Sequence, residues 1–184
     1  MAKIEIVYHS GYGHTKKVAE AVAGAAGASL IAIDAEGNLP DGGWERLAAA
    51  DAIVFGSPTY MGSVSWQFKK FADASSKPWF VKAWRNKIAA GFTNSATLNG
   101  DKFSSLQYMF TLSQQHGMIW AGMGMHAPNA KANTRDDPNN VGGYSGLMTV
   151  SPSDSSPDEM VPGDIATAKL FGQRIAEVVA KFVK

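Results

Sequence analysis

The chain contains no cysteine. It can form neither a disulfide nor a thiolate metal site and has no cysteine nucleophile, so any redox chemistry must reside in a bound cofactor. It also lacks a block of like charge. Its 17 basic and 16 acidic residues leave a formal net charge of +1, which gives no footprint for a nucleic acid and reads as ordinary solvated surface. No apolar run is long enough for a membrane helix, and Met-Ala-Lys leads straight into a short strand pattern without the apolar core of a signal peptide. A cytoplasmic protein with no membrane partner is expected. No linker or low-complexity tract interrupts the 184 residues, 45% of them hydrophobic. The expectation is a single domain, 1–184, with a core covered on two sides.

What is present begins with Ser10-Gly11-Tyr12-Gly13-His14-Thr15, between the apolar run Ile4–Tyr8 and a helical pattern. A strand that runs through small and hydroxylated residues into a helix presents unpaired N–H groups at the positive end of the helix dipole, where an anion is stabilised. Ser10 and Thr15 add hydroxyls, and Gly11 and Gly13 let the backbone approach a bound oxygen. The dinucleotide pattern Gly-x-Gly-x-x-Gly is absent, and no Gly-Lys-Ser/Thr closes a P-loop. His9-Ser10 and Gly56-Ser57 stand where a receiver domain would need acidic residues. A phosphate cradle or a plain strand-to-helix turn both fit this segment by itself.

Helical and strand patterns alternate along the chain. Val18, Ala21, Val22 and Ala25 recur on one face of a helix over His14–Ala26. Strands are expected at Leu30–Ile33, Ala52–Phe55, Ile88–Phe92 and Met118–Ala121. Helices are expected near Trp44–Ala50, Val64–Ala74, Phe103–His116 and Ile165 to about Val183. About five strands alternating with helices predict a parallel α/β sheet with helices on both faces and strand order 2-1-3-4-5, a flavodoxin-like three-layer sandwich. Its ligand crevice lies beyond the carboxyl ends of strands 1 and 3.

The loops expected at that edge are chemically unusual. Pro58-Thr59-Tyr60-Met61-Gly62 follows the third strand, with Pro58 stiffening the entry, Gly62 allowing a tight turn, and Tyr60 and Met61 able to lie against a flat ring. Thr93-Asn94-Ser95-Ala96-Thr97-Leu98-Asn99-Gly100 follows the fourth and offers hydroxyls and amides to a pyrimidine edge or ribityl chain. The alternatives are a simple turn and a polar lead-in to a helix cap. Residues 122–163 make too long a connection to be idle. They carry His126, Arg135 and Gly142-Gly143-Tyr144-Ser145-Gly146, and read either as a pocket wall or as a surface loop. Trp66, Phe68 and Phe71 read as core or subunit contacts, while Trp79, Phe80 and Trp84 either cover the pocket or plug the domain edge.

Tyr8 to Thr15, Asp51 to Gly62 and Gln115-His116-Gly117-Met118 together resemble the WrbA-type flavoproteins, the NAD(P)H:quinone oxidoreductase branch of the flavodoxin-like FMN reductases. The resemblance covers nearly the whole chain. It implies that Ser10, Gly11, Tyr12, Gly13, His14 and Thr15 hold the FMN phosphate and that Pro58, Thr59, Tyr60, Met61 and Gly62 flank the isoalloxazine. Thr93, Asn94, Ser95, Ala96, Thr97 and Asn99 would line the ribityl and pyrimidine side, with Gln115 where the family often carries the first of two histidines. Tyr12, Trp79 and Tyr144 would border a substrate pocket shared by NADH or NADPH and a quinone. The third loop is poorer in glycine than the family's, and the connection after the second strand is short. The resemblance also implies a homodimer or homotetramer, flavin-borne chemistry with no catalytic side chain, and no metal. A single-electron carrier is the alternative, disfavoured by the near-neutral charge, and an FMN-binding protein without turnover is another.

Overall fold

The structure is a computed structural model and describes residues 2–182. Its parallel sheet has β1 (Ile4–Tyr8) hydrogen-bonded to both β2 (Ser29–Ala32) and β3 (Ala52–Tyr60), and β5 (Ile88–Ser95) on the far side of β3. The remaining strands are the short β4 (Ser63–Val64), β6 (Ile119–Trp120) and β7 (Leu147–Val150). The main path runs β2-β1-β3-β5-β6, which is the expected five-strand order. The helices are α1 (His14–Ala26), α2 (Gly43–Ala49), α3 (Trp66–Ala74), α4 (Ser76–Phe80), α5 (Lys102–Gln115) and α6 (Pro162–Phe182), with a 3₁₀ turn at Pro157–Glu159.

Strand alternation builds two cores. Ile4, Ile6 and Tyr8 of β1 and Ala52 and Val54 of β3 face a cluster completed by Val18 and Val22 of α1 and Phe171, Ile175 and Val179 of α6. Val7, Ile53 and Phe55 face the opposite cluster, with Leu47 of α2, Phe68 and Phe71 of α3, and Leu106 and Met109 of α5. Each large apolar side chain buried here contributes about 1.5–3 kcal/mol. Trp84 is fully buried in the second cluster, stacked on Phe71 and Trp44, whereas its sequence neighbours Trp79 and Phe80 are exposed. The aromatic cluster anticipated in this segment is therefore split between core and surface. Phe68 and Phe71 are core residues, and Trp66 faces solvent.

Four expectations need correction. β3 continues to Tyr60, because Ser57 and Pro58 still pair with Thr93 and Asn94 of an equally extended β5. The helix expected from Val64 starts at Trp66, since Val64 pairs with Thr59 in a small hairpin. Met61 and Gly62, both at positive φ (48° and 77°), make its two-residue turn. The fifth strand position is shared by two segments: β6 pairs with Ile88 and Ala89, and β7 with Phe92 to Ser95. Residues 122–163 are thus not one connection, since they include β7 and the 3₁₀ turn. The final helix begins at Pro162, and its expected end at Val183 lies outside the described residues.

Candidate functional site

The carboxyl ends of β1, β3, β5 and β7 surround a cleft of about 300 Å³. Tyr12, His14 and Thr15 form one wall, Pro58, Thr59 and Tyr60 the second, Asn94, Ser95 and Ala96 the third, and Ser151 and Ser153 the fourth. No charged side chain lines it. The strand alternation that fills the two cores ends at this edge, where polar residues replace apolar ones and the three expected loops converge.

At the α1 end, Ser10 Oγ accepts the N–H groups of Gly13 and Lys16, each at 3.1 Å. Helix geometry leaves the first-turn N–H groups of His14 and Thr15 directed towards the cleft mouth. Gly13 caps the helix at φ 91°, and a Cβ there would lie 2.8 Å from Cγ of Pro157, so both conformation and contact require glycine. The adjacent cations are occupied elsewhere: Lys17 pairs with Asp158 at 2.7 Å and Lys16 lies 3.8 Å from Glu20. The cradle thus consists of neutral donors at a positive helix end. His14 is buried and its Nε2–H donates to the Ser155 carbonyl at 2.9 Å, which ties α1 to the segment after β7.

On the second wall, Ser57 Oγ accepts the Ser65 N–H at 2.9 Å, and Ser65 Oγ in turn caps α3 by accepting the Phe68 N–H. This fixes Pro58 to Gly62 between sheet and helix. Thr59 Oγ1 is engaged with the hydroxyls of Thr93 (2.8 Å) and Ser105 (2.7 Å). Tyr60 meets Tyr12 edge-on at 6.3 Å between centroids, and burial followed by the Tyr12 phenol keeps the Tyr60 hydroxyl protonated above its usual range. Tyr12 is 77% exposed and Met61 wholly so, leaving two unburied apolar side chains at the rim. Beneath the same edge, His9 is buried and burial lowers its pKa, so the imidazole is neutral.

On the third wall, Asn94 is fixed at both ends of its amide. Nδ2–H donates to Ser151 Oγ at 2.7 Å, and Oδ1 accepts from Thr149 Oγ1 at 2.8 Å. The Ser95 hydroxyl is buried and has no partner among the described residues, the kind of unpaired polar group that a ligand satisfies.

Of the residues expected from the sequence, Tyr12, His14, Thr15, Pro58, Thr59, Tyr60, Asn94, Ser95 and Ala96 line the cleft together. Ser10, Gly11 and Gly13 belong to the loop that leads into α1 but do not line the cleft, and Gly11 sits close enough to Tyr60 that a Cβ would be 2.7 Å from its hydroxyl oxygen. Met61 and Gly62 form the hairpin turn beyond the rim. Thr93 is fully buried under the wall, with its hydroxyl turned to Thr59. Thr97 and Asn99 are exposed on the outer part of the third loop. Gln115 and Trp79 line a different hollow with Phe80, Arg85 and His116, and Tyr144 borders another beside Phe103, Phe110 and Trp120. The structure therefore does not bring Trp79, Tyr144 or Gln115 to the cleft within one chain. Arg135 forms a two-pronged ion pair with buried Asp164 (2.9 and 2.7 Å), a structural task. Sequence reasoning missed Ser151 and Ser153. The alternating serines after the apolar run Leu147–Val150 were the available signal.

The family model described as NADPH-dependent FMN reductase matches residues 44–131. The chain is 53% identical over 178 residues to the flavodoxin FldP of Pseudomonas aeruginosa, covering 97% of each chain. It is 33% identical over 205 residues to an NAD(P)H dehydrogenase (quinone) of Archaeoglobus fulgidus, covering 98% of this chain and 99% of that one. Among solved structures, a flavodoxin, WrbA-like protein from Agrobacterium tumefaciens is 51% identical and superposes with a TM-score of 0.82, over 98% of this chain and 99% of that one.

Proposed function

The chain belongs to the flavodoxin-like family of FMN reductases and NAD(P)H:quinone oxidoreductases that includes the WrbA-like proteins, and from that premise we propose that it moves two electrons from NAD(P)H to a quinone through FMN held in the cleft. The observation that carries this reading is a cleft of neutral donors with no carboxylate, ammonium or guanidinium in its walls. Such a site binds and orients, and it offers no general acid–base pair of its own.

The residues present suit FMN. First-turn N–H groups of α1 with the Thr15 hydroxyl would take the phosphate. The buried, unpartnered Ser95 hydroxyl and the fixed Asn94–Ser151 pair mark the polar edge of the ring and ribityl chain. Pro58 and Tyr60 give the wall its flat apolar surface, and exposed Tyr12 lies at the rim where a nicotinamide or quinone would stack. Hydride acceptance from the nicotinamide and delivery to the quinone are the chemistry FMN supplies when bound. The chain contributes alignment of flat partners and exclusion of water between them.

Anaerobic titration of the FMN-loaded protein with NADH and then NADPH tests the proposal. Direct bleaching to the two-electron form, restored by benzoquinone, is the expected result. Flavin that neither nucleotide reduces overturns it. A second reading has its own support, namely 53% identity to a protein named flavodoxin. A single-electron carrier would accumulate the one-electron form during dithionite titration, and the reductase would pass it by.

A further inference from the structure

A nicotinamide dinucleotide has two halves, and a cleft of about 300 Å³ that holds a flavin leaves no room for the adenosine half. With the nicotinamide at the rim beside Tyr12, that half must lie on surface continuous with the rim. Tyr60 leads there. It meets Tyr12 edge-on and lines both the cleft and a second hollow of about 750 Å³, formed by β4, α3 and α5. The hollows at Trp79, at Tyr144 and at Leu98 share no residue with the cleft.

The second hollow differs from the cleft in two ways. It presents an open aromatic face, since Trp66 is 60% exposed, and Tyr108 is set edge-on against buried Phe68 with 6.4 Å between ring centroids. A planar base can cover such an indole. It also carries cations, which the cleft lacks. Asp73 on its border is neutralised by Lys69 at 2.6 Å, which leaves Lys70 as the net charge. Lys70 Nζ donates to the Glu36 carbonyl at 2.7 Å and to Asn38 Oδ1 at 2.9 Å, both neutral acceptors. Among the described residues no carboxylate forms an ion pair with it. Asp34, the carboxylate of the same loop, accepts the N–H groups of Glu36 and Asn38 instead. An ammonium has three donors, so one remains. Gly37, at φ 80°, packs so near that a Cβ would lie 2.9 Å from Lys70 Cδ. The long stem is therefore held before any ligand arrives, which lowers the entropic cost of binding.

We infer that this hollow takes the adenosine 2′-phosphate end of the dinucleotide, with the base on Trp66 and the phosphate on Lys70, so that NADPH is preferred to NADH. The inference rests on the reductase reading above and adds to it a site and a choice of nucleotide. The two nucleotides differ only in the 2′-phosphate, which carries about −1.5 to −2 charge at pH 7. The neutral walls of the cleft cannot sense that difference. A fixed ammonium with a spare donor can, because a hydrogen bond between two charged groups forms with one nucleotide and not with the other.

The test uses the FMN-loaded protein and two fragments, 2′,5′-ADP and 5′-AMP, which carry the adenosine half with and without the 2′-phosphate. Calorimetric titration of wild type, which needs no variant to fold, is expected to show 2′,5′-ADP binding about tenfold tighter or better. Lys70→Gln should shrink that ratio to about threefold or less, while Lys70→Arg, which keeps charge and donors, should retain most of it. Trp66→Ala should weaken both fragments alike, as loss of a stacking surface does and loss of a cation does not. In turnover with benzoquinone, Lys70→Gln should lower the ratio of kcat/KM for NADPH over NADH about tenfold, chiefly through KM for NADPH. Equal affinity of wild type for the two fragments, or a ratio that Lys70→Gln leaves intact, overturns the proposal. Reduction by both nucleotides at equal kcat/KM refutes the site and leaves the reductase reading standing. Flavin that neither nucleotide reduces overturns the parent reading, and the fragment titration then still decides whether the hollow binds an adenosine 2′-phosphate.

Discussion

The Nε2–H of His14 donates across 141 residues of sequence to the carbonyl of Ser155, at 2.9 Å. This bond fastens the first turn of α1 to the serine-rich segment that supplies the fourth wall of the cleft. The imidazole is therefore a tie between two walls, and its donor is spent on protein. His14→Ala should leave Ser151 and Ser153 less well held and weaken FMN by about 1 kcal/mol, the net value of one such hydrogen bond. Quenching of flavin fluorescence on titration measures this. An affinity equal to wild type would show that the tie does not reach the ligand.

Thr15→Ala removes a hydroxyl from the cleft wall proposed to take the FMN phosphate. The expected loss is about 1.5–3 kcal/mol in FMN affinity, as for a hydrogen bond to a charged group, with little change in thermal stability. Gly13→Ala should be worse on both counts, because the cap conformation costs a β-carbon roughly 1–2 kcal/mol and Pro157 occupies its space. Isothermal titration with parallel melting curves separates the two effects.

His116 gives a pH signature unrelated to flavin. It is buried, packed at a tilt against Trp84 with 4.1 Å between ring centroids, and bonded through Nε2 to Ser75 Oγ at 2.9 Å. The Ser75 hydroxyl already donates to the Ala72 carbonyl at 2.6 Å, so the histidine must be the donor and its Nε2 carries the proton. Burial lowers its pKa from 6.5 to about 4. The unfolded chain thus takes up a proton at a pH where the folded chain does not. The stability this group contributes is complete above about pH 6.5 and is lost as the pH falls towards 4, up to roughly 3 kcal/mol. Chemical denaturation of wild type and His116→Gln between pH 7 and 4 should show a shallower decline in the variant, and parallel curves would remove His116 as the cause.

Arg135→Ala should destabilise the fold by about 3–5 kcal/mol, since it leaves the Asp164 carboxylate buried and unpaired. Arg135→Ala combined with Asp164→Asn should recover most of that loss. Melting of the two variants decides this, and a double variant no more stable than the single would mean that the ion pair is not the source.

The centre of the sheet was legible because β3 and β5 are apolar runs buried on both faces, and α1 because Val18, Ala21, Val22 and Ala25 keep helical spacing through to the αL glycine Gly27. The reading stopped short where strands turn polar. Ser57 to Tyr60 and Thr93 to Ser95 continue their ladders, yet hydroxyls and a proline carry no strand periodicity. These polar strand ends are also the walls of the cleft, so the least legible part of the fold is where the site lies. β4 is two residues long and set by its turn. β7 has an apolar pattern of its own but sits inside a connection too long to parse, and with it went Ser151 and Ser153. Nothing in the sequence distinguishes Lys102 from an exposed lysine, yet it is fully buried, with its Nζ donating to the Thr97 and Leu98 carbonyls that the loop conformation turns towards it.

β6 and β7 both lie against β5, one along its first residues and the other along its last. The excursion between them leaves the sheet edge and returns to the same strand. The two pieces are therefore joined through β5 rather than through the residues that link them covalently. A peptide bond hydrolysed at exposed Lys131, inside that excursion, should yield two fragments that co-elute as one folded particle and part only in denaturant.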